Sequence, residues 1–185
     1  MPKVVLVRHG QTLQNRLGLI QGRADTDLSD EGVAQARRLA IEFGDVEFDR
    51  VYSSPMLRAL RTTQIIVDGR ELPIITDDRL VEIDQGDWTL KKGSELYKSN
   101  DRYKTWATNP IQAYPPNGET IHDVAGRAKA FLEDVKGYNI LTVAHAGVIA
   151  VLRTVLESRP LEKTWELLPR NGQAIILPVA ESERG

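Results

Sequence analysis

Short apolar runs alternate with amphipathic segments along most of this chain. Apolar runs predict β-strands, and apolar residues spaced three and four apart predict helices. The predicted strands cover residues 4–7, 50–53, 73–76, 139–143 and 174–177. The predicted helices begin after the candidate N-cap Ser29, run from Ser54-Pro55 to about Val67, from Thr120 to Val135, and from about Gly147 to Leu156. This alternation predicts an α/β three-layer sandwich with a mainly parallel central sheet.

The segment 84–116 fits neither pattern. It is rich in aromatic residues, namely Trp88, Tyr97, Tyr103, Trp106 and Tyr114. We expect a single domain over residues 1–185, with 84–116 as an insertion over one end of the sheet. Its basic residues Lys91, Lys92, Lys98, Arg102 and Lys104 either steer an anionic substrate or form a solvated face. Its aromatic side chains either stack on a substrate ring or pack into the core.

The composition of the chain excludes several classes of protein. Lys plus Arg number 24 and Asp plus Glu number 26, so the formal charge of −2 lacks the basic excess of a general nucleic-acid binder. Cysteine is absent, which excludes disulfides and thiolate nucleophiles. No apolar run approaches the roughly 18 residues of a membrane span. We therefore expect a soluble cytoplasmic protein, a monomer or homodimer, with no nucleic-acid or membrane partner.

Polar clusters follow three of the predicted strands. They are Arg8-His9-Gly10, Ser53-Ser54-Pro55 with Arg58 soon after, and His145-Ala146-Gly147. Because open α/β sheets bind ligands at the carboxyl ends of their strands, the clusters are expected to converge. Two guanidinium groups, two imidazoles and helix N-termini suit a phosphoryl dianion. Each cluster alone is a weak signal, and only their combination predicts a phosphate site.

Six segments, in chain order, resemble the motifs of the histidine phosphatase superfamily, also called the phosphoglycerate mutase-like family. They are residues 7–15 (VRHGQTLQN), 22–29 (GRADTDLS), 53–59 (SSPMLRA), 80–88 (LVEIDQGDW), 115–120 (PPNGET) and 143–149 (VAHAGVI). The likeness is greatest to the family's small broad-specificity and α-ribazole-type phosphatases. It implies a phosphoglycerate mutase-like fold.

The resemblance also implies roles for individual residues. His9 is the expected nucleophile, which becomes a phosphohistidine, and Glu82 is the expected proton donor. The expected phosphoryl-binding residues are Arg8, Asn15, Arg58, His145 and the backbone N–H of Ala146. No further group of carboxylates or histidines has metal-ligand spacing, so we expect neither a metal nor another cofactor.

Three positions depart from the family pattern. Gln11 stands where the family often has Glu, and Ala146 stands where it usually has Gly. After Trp88 the family usually continues Glu-Gly, whereas this chain has Thr89-Leu90. A third histidine, His122, lies outside the motifs and is expected to have a structural or surface role.

These observations leave three hypotheses for function. The first is a metal-independent phosphomonoesterase acting on a small-molecule phosphate ester. The second is a phosphoglycerate mutase-type transfer of the phosphoryl group, and the third is an inactive phosphate-binding module. The element 115–120 and the short segment between Glu82 and Glu119 favour hydrolysis by analogy with the family.

Overall fold

A five-stranded sheet forms the centre of the computed structural model, which describes residues 3–178. The strands are β1 Lys3–Arg8, β2 Arg50–Ser53, β3 Ile74–Thr76, β4 Ile140–Ala144 and β5 Ala174–Pro178, in the order β3-β2-β4-β1-β5. The first four of these are parallel, and β5 runs antiparallel to β1. The predicted mainly parallel sheet is thus confirmed, with each predicted strand present.

Seven α-helices surround the sheet within these residues. They are α1 Leu13–Arg16, α2 Asp30–Glu42, α3 Leu57–Ile66, α4 Gly93–Ser99, α5 Asp101–Thr108, α6 Ile121–Asp134 and α7 Ala146–Leu156. Ser29 caps α2 by accepting a hydrogen bond from Gly32 N–H, as its residue type predicts. Thr120 and Asp123 form a capping box at the start of α6. None of the described helices is long and apolar enough to cross a bilayer.

The predicted start of α3 at Ser54-Pro55 was wrong. The helix begins at Leu57, and its N-cap residue, Met56, makes no side-chain capping bond. Ser54 instead accepts a hydrogen bond from the backbone of Met56 and contacts the ring of His145 at 2.8 Å. Ser54 thus belongs to the turn between β2 and α3, where its hydroxyl is bonded to a distant residue.

Alternating residues of β1 face two separate cores. Val4 and Leu6 pack in a cluster with residues of α6 and α7, whereas Val5 and Val7 pack with residues of α2 and α3. The helices α2 and α3 contact each other, as do α6 and α7. The sheet therefore lies between two helical layers, and the expected three-layer sandwich is confirmed.

The segment 84–116 folds as short helices tied to residues 18–20. Backbone hydrogen bonds join Ile20 to Lys91, Leu90 to Ile20, and Gly93 to Gly18. Trp88 is buried and packs edge-on against Tyr103, with 5.1 Å between ring centroids. Trp106 is buried in the core that α6 and α7 share, whereas Tyr97 is exposed. Core packing therefore accounts for at least two of the aromatic residues.

Two of the basic residues in this segment lie in surface ion pairs. Lys92 lies 3.5 Å from Glu95, and Lys104 lies 2.7 Å from Asp101. The guanidinium of Arg102 lies over the ring of Tyr114. Partners within the segment itself thus engage three of its five basic residues.

Leu90 has a left-handed backbone conformation with φ of 59°, at the position where the family pattern has glycine. For a residue with a Cβ this conformation costs roughly 1–2 kcal/mol. The Leu90 side chain is largely exposed, so little apolar burial offsets that cost.

We expect Leu90→Gly to raise the free energy of unfolding by about 0.5–1 kcal/mol, because relief of strain exceeds the extra entropy that glycine gains on unfolding. Denaturant titration measures the change. Leu90→Ala is the matched control, since it removes the side chain but keeps the strained φ. A glycine variant no more stable than the alanine variant would show that the backbone is unstrained.

Candidate active site

The register of the parallel strands brings three polar clusters together. Arg8 pairs with Ala144 across β1 and β4, and Ser53 pairs with Val143 across β2 and β4. Just past these pairs, His9 N–H donates to the carbonyl of Ala144, and Ser54 N–H donates to that of Val143. The rings of His9 and His145 consequently lie 5.2 Å apart, edge to face.

One ring nitrogen of His9 is fixed by its backbone. Nδ1 lies 2.7 Å from the carbonyl oxygen of Gly10, which can only accept, so Nδ1 carries the proton and donates. Burial, followed by the charges of Arg58 and Arg8, holds the pKa of His9 well below its ordinary value. His9 is therefore a neutral imidazole whose Nε2 keeps its lone pair, which is the form that a nucleophile requires.

The tautomer of His145 follows from Arg58. The Nε–H of Arg58 donates to His145 Nδ1 at 3.2 Å, because a guanidinium is only a donor. Burial and then the charge of Arg58 hold the pKa of His145 well below its usual range. In this neutral ring Nε2 carries the proton, and it donates to the hydroxyl of Ser54 at 2.8 Å. His145 is thus held by the turn that follows β2 and by α3 together.

Arg58 has no exposed surface, and its guanidinium also donates to the carbonyls of Ala24 and Gly22. Arg8 donates to the carbonyl of Pro169, and its Nε is buried without a hydrogen-bond partner. Within residues 3–178 neither guanidinium forms a salt bridge with a carboxylate. Because buried charges are normally paired, the arrangement favours binding of an anion.

A cavity of about 180 Å³ lies in front of these groups. Five of the sequence-predicted site residues line it, namely Arg8, His9, Asn15, Arg58 and Glu82. Asn15 Oδ1 accepts hydrogen bonds from Thr12 and Asn171, so the amide is oriented by its carbonyl side. Gly22 and Gln85 complete part of the wall. A phosphoryl group in this cavity meets both cationic side chains and the neutral His9.

Glu82 is positioned by two backbone donors. Its Oε1 accepts from Ile83 N–H at 2.9 Å, and its Oε2 accepts from Gly147 N–H at 3.4 Å, in the first turn of α7. The carboxyl lies in the wall of the cavity that also contains His9. An acid or base at this place is able to exchange a proton with a group bound next to His9.

The remaining predicted residues lie at the edge of this cavity or outside it. His145 is fully buried, accepts a hydrogen bond from Arg58 and packs against His9, and its contact with a phosphoryl group stays a prediction. Ala146 is the first residue of α7 and lines an adjoining cavity with Glu82. Its backbone is not in the left-handed region, so alanine replaces the family's glycine without strain. Phosphate binding by its N–H stays a prediction. His122 is exposed, as expected.

Sequence reasoning assigned no role in the site to Ser54 or Gln85. Ser54 lies in the motif 53–59, but a serine followed by a proline is typical of a helix N-cap. Its residue type therefore did not indicate that the hydroxyl contacts His145. Gln85 lies within the segment 80–88, which contains the expected proton donor, and nothing in its residue type or position indicated a separate role. The basic residues of 91–104 line neither cavity.

Comparison with known proteins gives one family. The family model described as histidine phosphatase superfamily (branch 1) matches residues 4–184. Phosphoserine phosphatase 1 of Hydrogenobacter thermophilus is 31% identical over 186 residues, covering 98% of this chain and 88% of that protein. Adenosylcobalamin/alpha-ribazole phosphatase of Salmonella typhimurium is 32% identical over 172 residues, covering 90% of this chain and 85% of that protein.

Solved structures agree with this result. Mycobacterial glucosyl-3-phosphoglycerate phosphatase, in a complex with VO3, superimposes with a TM-score of 0.88 at 26% identity. The match covers 96% of this chain and 91% of that one.

Gly147 leaves room for the Glu82 carboxyl. A Cβ at residue 147 would lie 2.6 Å from Ile83 Cδ1 and 2.9 Å from Glu82 Oε1. We expect Gly147→Ala to displace Glu82 and to lower kcat for alkyl phosphates by about tenfold or more, since misplacement by about 1 Å can cost 10²-fold. Steady-state kinetics and thermal unfolding measure the two effects separately.

Gly126→Ala in α6 is the matched control, because a Cβ there contacts nothing within 4 Å. It should add about 1 kcal/mol of stability from helix propensity and leave activity unchanged. Full activity in Gly147→Ala would show that the position of Glu82 is not critical.

Proposed function

The chain belongs to the histidine phosphatase superfamily, and on that premise we propose that it hydrolyses small-molecule phosphate monoesters through a phosphohistidine on His9. The observation that carries the proposal is a neutral His9 beside the guanidinium groups of Arg8 and Arg58, neither of which has a carboxylate partner among residues 3–178. The relatives described above are phosphatases, which supports hydrolysis as the reaction.

Binding of the phosphoryl dianion places its oxygens against Arg8 and Arg58. Both side chains line the cavity, and the buried Nε of Arg8 has no other partner in the described part of the chain. Fixed donors of this kind stabilise the charge that spreads over the equatorial oxygens in the transition state. The bonds from Arg58 to Gly22, Ala24 and His145 keep its guanidinium in place before substrate arrives.

In the first step the lone pair of His9 Nε2 attacks phosphorus, and the bond to the leaving oxygen breaks. Nδ1–H stays bonded to the Gly10 carbonyl, which holds the ring in the reactive tautomer. Glu82 gives its proton to the leaving oxygen, because an alkoxide is a poor leaving group.

The second step returns the residues to their starting states. The Glu82 carboxylate takes a proton from water, and that water attacks phosphorus. The bond from phosphorus to Nε2 breaks, inorganic phosphate leaves, and His9 is again neutral. Every proton in this cycle is exchanged at the carboxyl that Ile83 and Gly147 hold by their N–H groups.

We expect His9→Ala to lower kcat/KM by at least about 10⁴-fold while the protein still folds, since loss of a nucleophile removes the covalent route. Assays run in EDTA measure phosphate release, and acid quenching with ³²P-labelled substrate tests for an acid-labile phosphoryl-enzyme. His122→Ala is the control, because His122 is an exposed histidine outside the site.

Two results would contradict the proposal. One is substantial turnover in His9→Ala, and the other is a requirement of the wild type for added divalent metal. Rapid isomerisation of 3-phosphoglycerate without release of phosphate would replace hydrolysis by phosphoryl transfer.

Glu82→Gln should lower kcat/KM for alkyl phosphates by about 10²–10⁴-fold, the usual value of general acid catalysis. The loss on p-nitrophenyl phosphate should be much smaller, because nitrophenolate leaves without a proton. Glu95→Gln, which changes an exposed carboxylate of α4, should have no effect. Equal losses on both substrates would show that Glu82 is not the acid.

A further inference from the structure

A second cavity, of about 260 Å³, adjoins the phosphoryl cavity. Glu82 and Gln85 line both cavities, so the proton donor stands at their boundary. The other walls are largely apolar and include Ile83, Tyr103, Trp106, Trp165 and Leu168. A leaving group that receives its proton from Glu82 has this apolar space beside it.

We propose that the second cavity binds the leaving group, and that the preferred substrates are monoesters whose leaving group carries an uncharged aromatic ring. The inference rests on the proposed hydrolysis at His9 and specifies the substrate class for the same site. It assigns specificity to residues distant in sequence from the phosphate motifs, above all Trp106, Trp165 and Leu168.

The charges of the cavity exclude an acidic leaving group. No Lys, Arg or His is among the lining residues, and the one charged side chain is that of Glu82. A carboxylate bound there would lose water without gaining a cation. Arg23, which reaches the backbone of Glu82, is engaged with Asp84 and Glu119.

The aromatic wall is fixed before substrate binds. Trp165 Nε1–H donates to the carbonyl of Trp106 at 2.7 Å, so its one polar group is satisfied. The two indoles pack edge to face, with 5.0 Å between ring centroids. A preformed aromatic surface binds a ring with little loss of side-chain entropy.

The volume suits a ring rather than a short polar chain. A cavity of about 150 Å³ holds benzene in a protein interior, so 260 Å³ is sufficient for an aromatic ring with its linking atoms. Leu168 is 49% exposed at this surface. An exposed leucine beside a cavity gains burial when an apolar ligand covers it.

The first test compares benzyl phosphate with O-phosphoserine on the wild type. Both are esters of primary alcohols, so both need the proton from Glu82. They differ in that benzyl phosphate carries a ring, whereas phosphoserine carries a carboxylate and an ammonium group. We expect kcat/KM for benzyl phosphate to be at least tenfold higher, the order of discrimination that an apolar pocket gives. Equal values, or preference for phosphoserine, would overturn the inference.

The second test adds a cation to the cavity. Leu168→Arg should shift the ratio of the two kcat/KM values toward phosphoserine by about tenfold or more, because a guanidinium pairs with the carboxylate. Ile41→Arg is the control for net charge, since Ile41 is 82% exposed on α2 and lines neither cavity. A ratio that does not differ between these variants would also overturn the inference.

Inorganic phosphate separates failure of the inference from failure of the proposed function. As a product it should inhibit competitively, with a Ki that Leu168→Arg leaves within about twofold of wild type, because it occupies the phosphoryl cavity alone. If both esters are hydrolysed but kcat/KM for benzyl phosphate is not the higher, the proposed preference for an aromatic leaving group is wrong. The proposed mechanism on His9 is then unaffected. Absence of turnover and of phosphohistidine on both esters refutes the mechanism itself.

Discussion

The buried positive charge of Arg58 is the constraint on which the site depends. The side chain has no exposed surface, and its hydrogen bonds go to Gly22, Ala24 and His145 rather than to a carboxylate. The carbonyl oxygens of Gly22 and Ala24, the Met56 sulfur and the neutral ring of His145 accept hydrogen bonds from it without cancelling its charge. Burial, and after it the positive charge of Arg58, lowers the pKa of His9 and of His145 well below the ordinary value, so both rings are neutral. One buried guanidinium thus contributes to the neutrality of the proposed nucleophile, and we propose that it also binds the phosphoryl anion.

The strand order makes this arrangement possible. β4 lies between β1 and β2, so the residues that follow these three strands meet although they are far apart in the chain. His9 bonds to the end of β4, and Ser54 bonds both to β4 and to the ring of His145. Because all three strands are parallel, their carboxyl ends lie at one edge, and the helices α3 and α7 begin there. The positions of the polar groups are therefore set by the sheet rather than by flexible loops.

The sequence predicts the parts of the molecule that depend on local pattern. Apolar runs located the five strands, and the polar clusters behind three of them indicated which side chains would converge. Long-range contacts were not predictable in this way. Ser54 has the residue type of a helix N-cap, so the sequence predicts that α3 begins there. Its hydroxyl instead contacts the ring of His145, and α3 begins at Leu57. The short helices α4 and α5, joined at Asn100, are too brief for a periodic signal. Nothing in the sequence indicated that Trp165 lines a cavity, because its contact is with Trp106, which is 59 residues away in the chain.

Glu82 joins two chemically different spaces, and this has a consequence for selectivity. The cavity beside His9 is lined by Arg8 and Arg58, and under the proposed mechanism these cations bind the phosphoryl dianion of any ester. No cation among residues 3–178 lines the adjoining cavity, so the proposed binding of the leaving group depends on apolar contact and shape. The proposals thus assign affinity for the reacting group and choice of leaving group to separate residues. Among the described residues, Glu82 and Gln85 alone line both cavities, and the backbone N–H groups of Ile83 and Gly147 hold the Glu82 carboxyl at this boundary.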